Sequence, residues 1–368
     1  MNAISLLIPD LPETEALVPY LRQIDATKWY TNFGPLVAKL ENDLASLWGK
    51  SPPLVTSVVN CTLGLELSLV ALGLRQGARV LVPSLTFAAS ATAVLRAGFQ
   101  PVLADVDPNS WMLTPEIARA ARKRHKFDCV MPVATFGCPQ PVGEWDVFSR
   151  ETGIPTIVDA AGAFGNQEIG ELTTVVFSLH ATKAFGIGEG GLVVSRNKAY
   201  IDIVRQLSNF GIDLSIGMSR FAGTNAKMSE YHAAVGLAVW DHWPQRQLLR
   251  RTLSGQYEKI LKDRCPDLTL QARPVDGIYT IMQVLLPEGT DCESIRLGLK
   301  SQGIETRSWY LPLLGMHPIF SSCTSDDLPV VQALAPRMLG LPFHLQLGSA
   351  EVARICSSLS DLIRAQRS

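Results

Sequence analysis

The feature of this 368-residue chain that most constrains its fold is a regular alternation of short apolar runs and helical segments, which begins near residue 56. The apolar runs are continuous and rich in β-branched residues, as in strands that are buried on both faces of a parallel sheet. They are RVLV at 79–82, PVLADV at 101–106, CVMPV at 129–133, TIV at 156–158, TVVFS at 174–178 and LVVS at 192–195. Helical segments separate them, one of them capped by Thr114 ahead of Pro115. The alternation predicts an α/β fold with a mainly parallel sheet sandwiched by helices.

The pattern changes in the last third of the chain. A long helical stretch at residues 229–262 is interrupted near Pro244, and strands and helices then follow without the earlier βα rhythm. We therefore expect two domains. Residues 1–248, including the N-terminal segment, form a large domain, and residues 249–368 form a small C-terminal α+β domain.

Composition excludes several classes of function. The net charge is -1 and the pI is near 6.6, so nothing favours nucleic acid or an anionic membrane as a partner. No uncharged stretch approaches the ~20 apolar residues of a membrane helix, and the first residues lack the basic region of a signal peptide. The seven scattered cysteines show no C-x-x-C spacing, and no H-E-x-x-H is present. We expect a cytoplasmic protein without a metal site.

Polar or aromatic groups follow four of the predicted strands. In open α/β sheets, ligands bind at the carboxyl ends of the strands, where such groups come together. Asn60, Cys61 and Thr62 open a helix whose backbone N–H groups and Thr62 hydroxyl can hold a phosphate. The other groups are Phe87, Asp159, and the trio Ser178, His180 and Lys183.

These groups supply what pyridoxal 5'-phosphate requires of a protein. A lysine forms the Schiff base, an aromatic side chain covers the ring, and a carboxylate keeps the pyridinium nitrogen protonated. Burial at a strand end helps Lys183 to lose its proton near neutral pH.

The glycines after Lys183 offer a competing interpretation. Gly186, Gly188 and Gly191 spell G-x-G-x-x-G, which in a dinucleotide-binding loop follows a strand and opens a helix. Here the run leads into LVVS, which reads as a strand. We therefore predict a tight connection between two strands and no dinucleotide site.

At the level of longer motifs, the chain resembles the DegT/DnrJ/EryC1/StrS family of sugar aminotransferases, which have the aspartate-aminotransferase fold (fold type I). The resemblance runs from about residue 29 to the C-terminus. It rests on TNFGPLVAKLENDLA, NCTLGLELSLVALGL, LVPSLTFAASATAVLRAGFQPVLADVDP, IVDAAGAFG, FSLHATKAFGIGEGG and GTNAKMSEYHAAVGLA, with weaker matches in GIETRSWYLPL and LGLPFH.

The resemblance implies a role for each matching position. Lys183 is similar to the Schiff-base lysine, which also carries the proton, and Asp159 to the partner of the pyridinium. The implied phosphate ligands are Thr62, the Leu63 backbone, Ser178 and, from the neighbouring subunit of a homodimer, Asn225; Phe87 stacks on the ring. Lys227, Arg307, Tyr310 and His317 are candidate substrate contacts, and the last three also fit surface or interface positions. We expect His180 to form only local hydrogen bonds.

Five positions depart from the family pattern. Gly162 stands where Gln or His usually lies near the phenolic oxygen of the cofactor, so that contact must be lost or supplied otherwise. Ala134 replaces the His of PVH, Leu314 replaces that of PLH, and Ala226-Lys227 replaces Tyr-Arg. The cofactor motifs are intact, whereas positions nearer the substrate vary.

The implied function is amination of a nucleotide-linked keto-sugar, with L-glutamate as donor, in polysaccharide or natural-product sugar biosynthesis. Dehydratase relatives carry histidine at the lysine position, so Lys183 argues against that reaction. Two alternatives remain: an aminotransferase for a non-nucleotide ketone such as a cyclitol, and a non-catalytic ligand-sensing relative.

Overall fold

The structure is a computed structural model that describes residues 3–367. Its helices are α1 (Thr14–Thr27), α2 (Pro35–Ala45), α3 (Cys61–Ala71), α4 (Ala88–Arg96), α5 (Pro115–Arg122), α6 (Val142–Thr152), α7 (Lys198–Leu207), α8 (Glu230–Trp240), α9 (Trp243–Arg264), α10 (Cys292–Ser301), α11 (Pro329–Leu334) and α12 (Ser349–Arg367). Its strands are β1 (Leu54–Val58), β2 (Arg79–Pro83), β3 (Gln100–Ala104), β4 (Cys129–Val130), β5 (Ile157–Asp159), β6 (Thr174–Ser178), β7 (Gly191–Ser195), β8 (Ile212–Asp213), β9 (Met218–Ser219), β10 (Thr269–Leu270), β11 (Met282–Leu285), β12 (Thr324–Ser325) and β13 (Met338–Leu341). The predicted N-cap holds: the Thr114 hydroxyl accepts from the Ile117 N–H at the start of α5.

The large sheet is mixed, as the sequence predicts. One half has the order β1-β7-β6-β5 and the other the order β12-β3-β2-β4. Parallel bridges from Val130 to Thr156 and from Val133 to Asp159 join the halves between β4 and β5. Antiparallel pairing is confined to β7, which runs against both β1 and β6.

Helices cover both faces of this sheet, because successive strand residues point to opposite sides. On β6, Val176 packs in a core with α3, α4 and α7, whereas Val175 and Phe177 pack in another with α2 and α8. Leu81 of β2 packs with α5 and α6. The sandwich expected from the apolar runs is therefore present.

The C-terminal part builds a second core around the antiparallel sheet β10-β11-β13. Residues of α9, α10 and α12 pack in it. The predicted domain boundary at 248/249 falls inside α9 and stays a prediction. Ile4 packs in this same core and bridges to Ile304, so this part of the N-terminal segment contacts the C-terminal region rather than the large sheet.

A connection that we call the strap, residues 314–326, runs from the C-terminal region back to the large sheet. Leu314 and Phe320 pack in the core beneath α3 and α4, and β12 adds a parallel strand beside β3. At the end of the strap, Asp326 accepts two hydrogen bonds of 2.8 Å from Arg124 and lies 2.8 Å from the His125 Nε2.

Residues 3–367 offer neither a membrane-spanning helix nor a cluster of metal ligands. No helix there combines the length and apolar character needed to cross a bilayer. Over the same residues, no three histidine, cysteine or acidic side chains come together as metal ligands.

The Asp326 contacts predict a pH-dependent stability difference. The hydrogen bonds from Arg124 lower the pKa of Asp326, so the stabilisation is complete at neutral pH and is lost as the carboxylate is protonated at about pH 4 and below. Asp326→Asn should cost about 1–2 kcal/mol at about pH 7, and this cost should shrink as the pH falls through the lowered pKa of Asp326. Urea unfolding across this range measures it. The neighbouring Asp327→Asn is the matched control, and an equal loss in both variants would contradict the assignment.

Candidate active site

The sheet brings Asp159 and Ser178 to one edge. Asp159 is the last residue of β5 and pairs with Val176 of the parallel strand β6, which ends two residues later at Ser178. On its other side, Asp159 bridges to Val133, and its carbonyl accepts from the Ala134 N–H at 2.9 Å. The strand-end placement expected from the sequence is present.

The Asp159 carboxylate is buried and held by two donors. The Ser90 hydroxyl donates to Oδ2 at 2.7 Å, and the Ala161 N–H donates to Oδ1 at 3.1 Å. Burial raises the pKa of Asp159, against the opposing effects of these hydrogen bonds and of Lys183. No ion pair reaches this carboxylate from any residue in 3–367. The site therefore favours a cation placed against Asp159.

Lys183 lies in a tight connection between β6 and β7. The connection closes through hydrogen bonds from Leu179 N to Gly190 O (2.9 Å) and from Ala181 N to Gly188 O (2.8 Å). A Cβ at Gly186 would lie 2.5 Å from the Ala181 oxygen, so only glycine fits there. The glycines lead into a strand and not a helix, which confirms the tight-connection prediction.

The Lys183 amine is poised to lose its proton. Burial lowers its pKa, and the charge of the nearby Asp159 opposes this effect. Burial also raises the pKa of the Cys61 thiol well above its usual value, so that thiol stays neutral. The lowered pKa suits a lysine that must act as a neutral nucleophile.

The start of α3 is the segment predicted to hold the phosphate. Asn60 is its N-cap, and its side chain accepts from the Leu63 N–H at 2.9 Å. The Leu63 amide expected to bind phosphate is thus already bonded within the cap. The Thr62 hydroxyl has no hydrogen bond to any residue in 3–367. Gly191 lies so close that a Cβ there would be 2.7 Å from the Asn60 carbon and the Cys61 nitrogen.

Aromatic side chains form one side of the site. Phe87 precedes α4 and is 58% exposed, which rules out a core position for it. Its ring centroid lies 6.5 Å from that of Tyr310. Tyr310 stacks on Phe136 with centroids 5.4 Å apart and an interplanar angle of 9°. Phe136 in turn meets the buried Trp111 edge to face at 6.2 Å.

Asn225 and Lys227 lie together at the surface. The Lys227 ammonium donates to the Asn225 Oδ1 at 2.7 Å and sits 4.6 Å from the centre of the Phe210 ring. Beside them, the β8–β9 hairpin exposes a group of large apolar side chains: Phe210, Leu214, Ile216, Met218 and Phe221. Exposed apolar side chains grouped along one segment are typical of an interaction surface.

The remaining candidates differ in position. The Arg307 guanidinium covers the Trp309 ring at 4.1 Å and its charge acts on Tyr310. His317 is half-buried, with its Nε2 3.2 Å from the Pro312 oxygen. His180 bonds locally to Thr182, as expected. Gly162 faces the backbone of a turn, because a Cβ there would lie 3.3 Å from the Gly137 nitrogen.

Sequence reasoning missed several residues of the site. Ser90 lies in the PSLTFAAS motif, but its bond to Asp159 spans 69 positions of the chain. Thr86, four residues earlier, lies 2.9 Å from the Ser90 hydroxyl and extends this network. Thr86 and Ser90 lie four residues apart across the start of α4, a spacing that the sequence shows. Phe136 carried no such signal, since its place depends on a left-handed conformation (φ 57°).

The site fits pyridoxal phosphate on the observations of its own residues. Asp159 is a buried carboxylate without a cationic partner in the described part of the chain, as a pyridinium requires. Gly191 leaves the start of α3 clear of a side chain. Phe87, directly before α4, presents an exposed ring. Lys183 supplies an amine with a lowered pKa.

Comparisons with known proteins identify the family. Residues 12–360 match the DegT/DnrJ/EryC1/StrS aminotransferase family. The crystal structure of DesI in the presence of its TDP-sugar product is 30% identical, with a TM-score of 0.89, and the match covers 100% of this chain and 95% of DesI. The dTDP-4-amino-4,6-dideoxy-D-glucose transaminase of Escherichia coli is 29% identical over 370 residues, 95% of this chain and 96% of that enzyme. The GDP-perosamine synthase of Caulobacter vibrioides is 29% identical over 384 residues, 96% of this chain and 99% of that enzyme.

The fold and the site define a pyridoxal-phosphate-dependent aminotransferase of fold type I. The chain belongs to the DegT/DnrJ/EryC1/StrS aminotransferase family, as its motifs predict. Its cofactor is pyridoxal phosphate.

Proposed function

We propose that this protein transfers an amino group from an amino acid, L-glutamate in our assignment, to the ketone of a nucleotide-linked sugar. The observation that carries the proposal is the meeting of Lys183 and Asp159 at one sheet edge, each with a pKa displaced by burial. The nucleotide-sugar substrate is supported by the names of the relatives from E. coli and C. vibrioides and by the DesI product complex.

Each site residue has a distinct task. The bound cofactor supplies an electron sink for the carbanionic charge that develops during transamination. Asp159 keeps the ring nitrogen protonated, so it acts on the transition state more than on binding. Lys183 would hold the cofactor through its amine, and the same amine would take up and return the proton of the transamination. Thr62, Ser178 and the first turn of α3 hold the phosphate.

The homodimer is part of the proposal. An ammonium group only donates, so the contact with Lys227 uses the Asn225 Oδ1 and leaves its NH₂ group to donate elsewhere. An amide donor of this kind suits a phosphate held by a second copy. The exposed side chains of the β8–β9 hairpin, among them Leu214 at 73%, supply apolar surface for that contact.

We further propose a cytoplasmic location, which all seven cysteines in the reduced form support. A substrate screen distinguishes a nucleotide-linked keto-sugar from the alternative substrate, a non-nucleotide ketone. A ligand-sensing role is separated by the absence of any amino transfer.

Replacing Lys183 or Asp159 should reduce turnover strongly. Lys183→Ala should lower turnover by about 10⁴-fold or more, because both the covalent link and the proton carrier are lost. Asp159→Asn should lower it by about 10²–10³-fold, because the isosteric amide cannot hold the ring nitrogen protonated. Steady-state assays with L-glutamate and a nucleoside diphosphate keto-sugar measure both.

Lys198→Ala is the matched control, since Lys198 is an exposed lysine paired with Asp202 on α7. It should turn over like the wild type. Near-normal activity of purified Lys183→Ala or Asp159→Asn would refute the proposed mechanism. A wild-type enzyme that accepts only free ketones would refute the nucleotide-sugar substrate.

The second prediction concerns the shared site. Asn225→Asp places a carboxylate against the partner's phosphate, so it should bind cofactor weakly and have little activity. If Asn225 acts across the interface, mixing it with inactive Lys183→Ala creates one wild-type site in each mixed dimer. An equimolar, fully exchanged mixture should then recover about a quarter of the wild-type rate.

Subunits are exchanged in mild denaturant, and activity is followed after refolding. The control is a mixture of Lys183→Ala with Asp159→Asn, which lie in the same subunit's site and should not complement each other. A mixture that stays as inactive as its components would show that Asn225 serves its own subunit or no site.

A further inference from the structure

Tyr310 is held in place by contacts from the large sheet, although it lies in the C-terminal region. Its ring stacks almost parallel to that of Phe136 and lies beside Phe87. Phe136 itself is fixed in a left-handed conformation within the turn at Thr135–Gly137. This conformation strains a non-glycine residue, so the packing around Phe136 must offset the strain. The stack therefore positions the Tyr310 ring at the cofactor site.

The Tyr310 hydroxyl is a donor without a hydrogen-bond partner on any residue in 3–367. Burial raises the pKa of this phenol, and the charge of Asp159 adds to the effect, so the hydroxyl keeps its proton. The other tyrosines buried nearby are different: the Tyr279 hydroxyl donates to the Pro274 oxygen at 2.6 Å. A protonated donor next to Asp159 is thus left for a group bound in the site.

The polar atoms of pyridoxal phosphate can be matched to the residues one by one. Asp159 takes the ring nitrogen, Lys183 takes the aldehyde carbon, and the start of α3 with Ser178 takes the phosphate. The phenolic oxygen remains. The nearby positions Gly162 and Ala134 have no polar side chain to offer it, and Gly162 faces the Gly137 backbone instead.

We propose that Tyr310 is a cofactor-positioning residue whose hydroxyl donates a hydrogen bond to the phenolic oxygen of pyridoxal phosphate. This inference rests on the proposed function, because it assumes the cofactor orientation that Asp159 and Lys183 define. It assigns to Tyr310 a cofactor contact in place of a substrate contact. It also explains how a chain with glycine at position 162 satisfies the cofactor's remaining polar atom.

The test is the visible titration of the purified holoenzyme with Tyr310→Phe, which keeps the ring and its stack on Phe136. A donor to the phenolic oxygen weakens the hold of that oxygen on the proton of the adjacent lysine nitrogen. Removing the donor should therefore raise the pKa of the Lys183–cofactor linkage by about one to two units. Absorbance spectra recorded across pH without substrate give this pKa directly.

Tyr257→Phe is the matched control. Tyr257 is a buried tyrosine of the C-terminal core whose hydroxyl donates to the Pro342 oxygen at 2.6 Å, so its loss affects stability but not the chromophore. Tyr310→Leu, which removes the stack as well, should add weaker cofactor binding, measured by equilibrium dialysis, to the same rise in pKa.

Three outcomes would overturn the inference. An unchanged titration in Tyr310→Phe would show that the hydroxyl does not reach the cofactor. An unchanged titration with a raised KM for the sugar would reassign Tyr310 to the substrate. A wild-type protein that binds no pyridoxal phosphate would overturn the proposed function itself, and this inference with it.

Discussion

The burial of one carboxylate, that of Asp159, is the constraint on which the rest of the site depends. A carboxylate taken out of water costs several kcal/mol unless donors or a cation compensate it. Ser90 and Ala161 supply two hydrogen bonds, yet the pKa of Asp159 remains raised. The sheet thus holds a negative charge that a pyridinium completes. Stability is traded for a site already arranged for its cofactor.

Close backbone approach makes the arrangement possible. Gly191 lets β7 pass against the start of α3, and Gly186 lets the lysine connection fold back on Ala181. Because neither glycine has a side chain, the start of α3 and the Lys183 connection can lie at the same edge of the sheet. The C-terminal region adds Tyr310, which stacks on Phe136 at this site although about half the chain separates the two residues.

The parts that the sequence predicts are those with local causes. Continuous apolar runs predict buried strands, Thr114 marks a helix start, and LVVS after the glycines predicts a strand. Strand ends then group Asp159 with Lys183, because parallel topology leaves few other arrangements.

The parts that sequence reasoning missed have non-local causes. The Ser90 bond, the strap and the Phe136–Tyr310 stack each join distant segments, and no periodicity encodes such contacts. The N-terminal segment is a similar case, since Ile4 joins the C-terminal core. At the Leu63 amide, sequence reasoning missed a local competitor, because the Asn60 cap already accepts its hydrogen bond.

The central claim is that Lys183, and no other lysine, binds the cofactor at the edge defined by Asp159. The most direct measurement is borohydride reduction of the yellow holoenzyme, followed by proteolysis and mass spectrometry of the labelled peptide. We expect one pyridoxyl group for each chain, attached to Lys183 in the segment between β6 and β7. A label on another lysine, or none in a protein saturated with cofactor, would contradict it.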